Sequence, residues 1–194
     1  MKKLILASAS PRRRDLLRSL GLDFEVYVTD ADENINVKSP SELVRVLAER
    51  KAEAAASVYP DCVVIAADTV VSHDGEILGK PHDDADAARM LRMLSGSSHT
   101  VYTGVCVIAD GATASETVAT DVRMRNITEE EISDYIRTGE PRDKAGAYGI
   151  QGLGGIFVER IDGDYFNVTG MPKEATARLL AGVGVDILKL QANE

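Results

Sequence analysis

Apolar positions along this chain fall into short unbroken runs and stripes of helical spacing, which predict buried strands and the amphipathic helices that pack on them. Leu4-Ile5-Leu6-Ala7 reads as such a strand. Ser10-Pro11 then supplies an N-cap with proline at the first helical position. Leu16, Leu17 and Leu20 form the apolar face of a short helix, and Gly21 stands where a helix stops. Extended chain is predicted through Phe24–Val28. A second helix opens at Ser39-Pro40-Ser41-Glu42, carries the stripe Val44, Leu47, Ala48 and Ala55, and ends at Tyr59-Pro60.

A strand from Val63 to Ala67 follows. His73-Asp74-Gly75, between Val70-Val71-Ser72 and Glu76-Ile77-Leu78, has the residues of a tight hairpin turn, and Asp83 caps a helix that closes at Gly96. Val101 to Ile108, Asp110-Gly111 and the alternating Val118, Thr120, Val122 and Met124 predict a second hairpin. Thr128 and Glu131 form a capping box for a helix with Ile132, Tyr135 and Ile136 inward. After a glycine-rich segment the chain is read as a strand Ile156 to Ile161, a turn at Asp162-Gly163-Asp164, a strand Phe166 to Val168 and a helix from about Pro172 to Leu180. Hairpins break the βαβ alternation, so the expectation is α/β with a mixed, elongated sheet flanked by helices, in one domain spanning 1–194 with two lobes around a cleft.

Composition narrows the class. With 194 residues, 44% of them hydrophobic, the chain can bury a full core unaided. Cys62 and Cys106 both lie in apolar runs, which suits buried thiols and a reducing, cytoplasmic setting better than a disulfide framework. The basic start and Ala-x-Ala of the first nine residues imitate a signal peptide. Their apolar stretch, Leu4 to Ala7, falls short of the roughly 7–15 residues export requires. No run approaches the roughly 20 apolar residues of a membrane span. A net charge of −9, from 22 basic and 31 acidic residues, argues against a broad nucleic-acid surface. An anionic ligand would need a local pocket.

Several side chains sit where folding alone does not ask for them. Arg12, Arg13 and Arg14 fall in the first turn of the first predicted helix, where unpaired N–H groups are already positive. A phosphate held by Ser8, Ser10, the helix start and the arginines resolves that conflict, and three solvated arginines are the alternative. Lys51 continues an apolar stripe and so points at the protein, either to a partner or snorkelling at the core's edge. Asp68-Thr69 closes the run Val63–Ala67, which puts a carboxylate at a strand's carboxyl end or makes it a turn cap. The acidic Asp30, Asp32 and Glu33 and the lone Lys80 are weaker signals. Five glycines between Gly146 and Gly155 suit close backbone approach to a ligand. His73, His82 and His99 lack metal-ligand spacing and no nucleophile signature is present, which favours oxygen ligands and a hard cation.

Taken together, Leu6-Ala7-Ser8-Ala9-Ser10-Pro11-Arg12-Arg13, Asp32-Glu33, Lys51-Ala52, Ala66-Ala67-Asp68-Thr69-Val70-Val71, Gly79-Lys80-Pro81, Asp143–Gly152, Gly163-Asp164-Tyr165 and Asn167–Pro172 closely resemble the Maf family, nearly end to end. The resemblance implies a fold shared with inosine triphosphate pyrophosphatases and a metal-dependent pyrophosphatase acting on nucleoside triphosphates. It places the catalytic position on Asp68, phosphate contacts on Ser8, Arg13, Lys51 and Lys80, and a divalent cation, Mg²⁺ or Mn²⁺, on Glu33 and Asp68. Arg12, Thr69 and Gln151 match the branch that acts on dTTP and UTP. Gln151 offers both a donor and an acceptor, which suits the imide edge of uracil or thymine. The resemblance also implies a homodimer and a link to septum formation. The rival expectations are a pyrophosphatase for 7-methyl-GTP or modified purines, and a nucleotide-binding regulator of cell division without turnover.

Overall fold

In the computed structural model, which describes residues 2–32 and 35–192, the chain divides into two compact units. One comprises 1–68, 103–118 and 170–194; the other comprises 69–102 and 119–169. The strands are β1 (Leu4–Leu6), β2 (Glu25–Val26), β3 (Val63–His73), β4 (Glu76–Leu78), β5 (Ser98–Ala109), β6 (Ala112–Met124) and β7 (Val158–Asp162). They form one mixed sheet in the order β2-β1-β3-β5-β6-β7, with β4 on β3. β1 runs parallel to β2 and β3, whereas β3–β4 and β6–β7 are antiparallel.

In the first unit, α1 (Pro11–Arg18) and α2 (Pro40–Val58) start as their Ser-Pro pairs predict, with Ser10 and Ser39 at the N-caps. α2 buries Val44, Leu47, Ala48, Ala52 and Ala55. The small residues have a reason. A Cβ on Gly104 of β5 would collide with the Val44 carbonyl, so helix and sheet meet backbone to backbone and the alanines fit the narrow gap. The unit closes with α6 (Lys173–Gly182) and α7 (Ile187–Ala192).

In the second unit, Asp74 (φ 47°) and Gly75 (φ 82°) make the tight turn between β3 and β4. Asp83 caps α3 (Asp84–Leu94) by accepting from Asp86 N at 2.7 Å. Thr128 and Glu131 complete both halves of the capping box on α4 (Glu129–Arg137). The core gathers Leu78, Leu91, Leu94, Met124, Ile132, Tyr135, Tyr148 and Phe157.

Two expectations change. β3 does not end at Asp68 but continues to His73, because the strand passes from parallel pairing with β1 at Val63–Ile65 to antiparallel pairing with β4 at Val71–His73. The stretch expected as a strand at Phe166–Val168 is a helical turn, α5 (Tyr165–Val168). Asp164 accepts from Phe166 N at 2.7 Å and so diverts the backbone from a ladder into a turn.

Candidate functional site

The first unit assembles its polar groups where the parallel pairing of β1 and β3 ends. Lys51 lies beside Ala52 on the inward side of α2, and its Nζ meets Asp68 Oδ1 of β3 at 2.6 Å. Both side chains are only 14% exposed, so this ion pair is largely withdrawn from water. Such a pair gains little net stability, and breaking it by removing one partner is costly. One cation also leaves a carboxylate, with about four lone-pair sites, able to accept more.

Ser8 follows β1 and is buried. Its Oγ accepts from Ser10 N at 3.2 Å and from Arg13 Nη1 at 3.3 Å. Arg13 Nε donates to Gly170 O at 2.9 Å, so a carbonyl from the far end of the sequence fixes the guanidinium's direction. Arg12, Arg13 and Arg14 are half-buried, and the first turn of α1 contains no acidic residue. Helix start and arginines therefore add positive potential at that turn. Arg50 Nη1 donates to Asp32 O at 2.9 Å. Glu33 lies outside the described residues.

The second unit carries the other residues singled out by the sequence. Thr69 is half-buried in β3, and Lys80 is exposed just beyond β4. Gly79 O accepts from Gly146 N at 3.0 Å, which ties the Lys80 segment to the start of the glycine-rich stretch. Gln151 is exposed within that stretch.

Much of the glycine content has an internal cause. A Cβ on Gly152 would come 2.5 Å from Glu140 Oε2, and one on Gly154 would come 2.5 Å from Tyr135 Oη. The backbone is pressed against these two side chains. The sequence marked Tyr135 only as an inward position of its helix and did not mark Glu140. The available signal was a carboxylate, in Gly139-Glu140-Pro141, upstream of a glycine-rich stretch whose backbone N–H groups need acceptors.

Among the described residues the other titratable groups favour no alternative centre. Among the described residues no group of three or more His, Cys, Asp or Glu side chains could hold a metal. Burial pushes the Cys106 thiol up to about 12, and both cysteines are free. Burial, reinforced by His73 and opposed by Asp121, pushes His99 down to about 4, so it sits neutral beside the Tyr148 hydroxyl at 2.8 Å. No described helix is long and apolar enough to cross a membrane.

Comparison with known proteins finds relatives over most of the chain. The family described as Maf-like protein matches residues 3–183. A dTTP/UTP pyrophosphatase of Geobacillus sp. (strain WCH70) is 52% identical over 95% of this chain and 100% of its own length. One of Deinococcus radiodurans is 50% identical over 94% of each chain. Another, of Bacillus cereus (strain ATCC 10987 / NRS 248), is 48% identical over 96% of this chain and 93% of its own. Among solved structures, the Staphylococcus aureus Ham1 protein aligns at 18% identity with a TM-score of 0.47, over 63% of this chain and 72% of that one.

Proposed function

We propose, from the premise that this chain belongs to the Maf family, that it hydrolyses dTTP and UTP to the nucleoside monophosphate and pyrophosphate. The observation that carries the reading is the secluded Lys51–Asp68 pair, in the same unit as the Ser8–Arg13 contact. A carboxylate that can accept a proton and cations that can meet phosphate oxygens are the parts such a hydrolysis needs.

In this mechanism a triphosphate tail offers Lys51 a further anion, and its ammonium shifts from Asp68 toward phosphate. Asp68 is then free to accept a proton from the water that attacks the α-phosphorus. Arg13, Lys51 and Lys80 neutralise the charge that gathers on the departing pyrophosphate, and the Ser8 hydroxyl donates to a phosphate oxygen. Arg12, Thr69 and Gln151 select the base, Gln151 through the imide edge.

The donor set suits a divalent cation of one kind. Asp68 offers hard oxygen, and the described residues gather no closed cage of three ligands. Mg²⁺ or Mn²⁺ needs no such cage, since it binds through one or two carboxylates together with substrate phosphates and water. Glu33 and Asp68 would hold it. When bound it supplies charge neutralisation at the phosphates and a water of lowered pKa. The reading sets the enzyme in the cytosol, which the two free cysteines suit.

The test is a panel of dTTP, UTP, CTP, 7-methyl-GTP and inosine triphosphate with magnesium or manganese, with products identified. Pyrophosphate and monophosphate from dTTP and UTP are expected. Release of inorganic phosphate, or an untouched panel, overturns the reading.

A further inference from the structure

The glycine-rich segment of the second unit contains a hydrogen-bonded device that the proposed chemistry does not use. Glu140 follows α4 and is half-buried. Its Oε2 accepts from Leu153 N at 2.9 Å, and its Oε1 accepts from Gly154 N at 3.1 Å and from the Tyr135 hydroxyl at 2.9 Å. The Tyr135 oxygen accepts in turn from Gly149 N at 3.2 Å. One carboxylate and one phenol therefore hold both ends of the stretch from Gly149 to Gly154.

Between those ends the chain reverses, with Gly152 N donating to Gly149 O at 3.1 Å. Ile150 packs against the apolar core, while Gln151, next to it at the apex, is exposed. Burial alone would raise the Glu140 carboxyl. The donations from Gly154, Leu153 and Tyr135, with the nearby Lys144 charge, outweigh that and hold it below the ordinary carboxylate range. The group is thus an anion committed to backbone N–H donors. Lys144 donates to the Glu140 carbonyl at 3.1 Å and braces the same corner.

We infer that Glu140, acting with Tyr135, is the positioning residue that sets how the Gly149–Gly154 turn is presented to the pyrimidine base, and hence the preference for a uracil or thymine ring; this rests on the reading of Gln151 given above. A glutamine hydrogen-bonds in whichever direction its side chain takes, so a loosely held Gln151 would accept the amino edge of cytosine as readily as the imide edge of uracil. Selectivity requires a fixed carrier. The carboxylate supplies one because only an acceptor at both oxygens satisfies all three donors at once.

Glu140→Gln places an amide donor against one of those donors, and Glu140→Asp keeps the charge on a shorter arm. Steady-state kinetics on UTP, dTTP and CTP test the idea. KM for UTP should rise roughly ten- to hundredfold in Glu140→Gln, as expected for losing charge-assisted bonds. The fall in kcat should be smaller, and the preference for UTP over CTP should shrink. Glu140→Asp should recover part of the loss, and Tyr135→Phe should shift the same quantities less. In a Gln151→Ala background, Glu140→Gln should add little.

A Glu140→Gln enzyme with parental KM and preference overturns the inference, as does a loss confined to kcat and equal on every triphosphate. Gln151→Ala with its preference intact, beside a Glu140→Gln that loses it, leaves Glu140 in place and sinks the reading of Gln151. Amide exchange across residues 149–155 reads the positioning without substrate. Unchanged protection in both Glu140→Gln and Tyr135→Phe rejects it even if the proposed hydrolysis itself fails.

Discussion

Each unit holds a half-buried carboxylate, and the two are satisfied in different ways. Glu140, in the second unit, accepts from two backbone N–H groups and a phenol, and is bound into the fold through both oxygens. Asp68, in the first, meets a single ammonium at one oxygen. The surroundings differ as well. A core cluster of the first unit has five alanines among its nine buried members, a thin layer that lets α2 lie close to the sheet. The second unit packs large side chains, with Tyr135 edge-on to Phe157 at 5.1 Å and His99 edge-on to Tyr148 at 5.3 Å. Its guanidinium pairs stay outside, as in Arg92–Glu129, whose side chains are 53% and 68% exposed. A carboxylate saturated by its own fold is a structural part. One that shares a single cation in a secluded place has acceptor capacity left for a ligand.

The sharpest way to break this contrast is Asp68→Asn. Turnover of UTP should fall about a thousandfold. The thermal midpoint should fall by roughly 5–10 °C, because an amide oxygen still faces Lys51 but no longer balances its charge. A fully active variant would remove Asp68 from the chemistry. The converse change in the second unit is Phe157→Ala, which empties a fully buried position. Urea unfolding should show a loss of about 3–5 kcal/mol; a loss under about 1 kcal/mol would mean the aromatic core is not what holds this unit.

Smaller effects separate the units by pH. His99 is held at about 4 by burial against an ordinary 6.5. As pH falls through that window the unfolded chain takes up a proton that the folded one refuses. Stability is therefore fully present above 6.5 and declines by up to about 3 kcal/mol towards pH 4. Glu131, with its carboxyl down to about 2 through Arg125 and the Thr128 backbone, adds a loss of the same sign at lower pH, between its ordinary 4.5 and about 2. Unfolding curves of His99→Gln should be flatter between 6.5 and 4. A slope equal to the parent's would clear His99 of the effect. Smallest of all, Thr128→Ala should cost about 1 kcal/mol by removing half of the α4 capping box.

Local chemistry announced itself well. Ser-Pro starts, aspartate and threonine caps, the Asp74-Gly75 turn and the capping box all stand where side chains a few residues apart dictate them. Lys51 was legible too, since a lysine in phase with an apolar stripe must face the protein, and the structure supplies Asp68 as its partner. The boundary of β3 was not legible. The hairpin with β4 was local and legible, but that its first arm continues the strand paired with β1 depends on β1, more than fifty residues earlier in the chain. The turn at Tyr165–Val168 differs from the expected strand because so short a segment has no period of its own, so one hydrogen bond accepted by Asp164 decides it.

By itself, then, the sequence determined most of the elements, several of their caps, the inward lysine and the set of chemically suspicious residues, because each depends on spacing within a few turns of chain. Only the tertiary structure decided which of them meet. Arg13 takes its direction from Gly170, 157 residues away, and Lys51 finds Asp68 across a helix–sheet contact. The glycines near Gln151 turn out to face Glu140 and Tyr135. Such pairings join residues far apart in the chain, and the energies that select them arise only once the backbone has brought the groups within hydrogen-bonding distance.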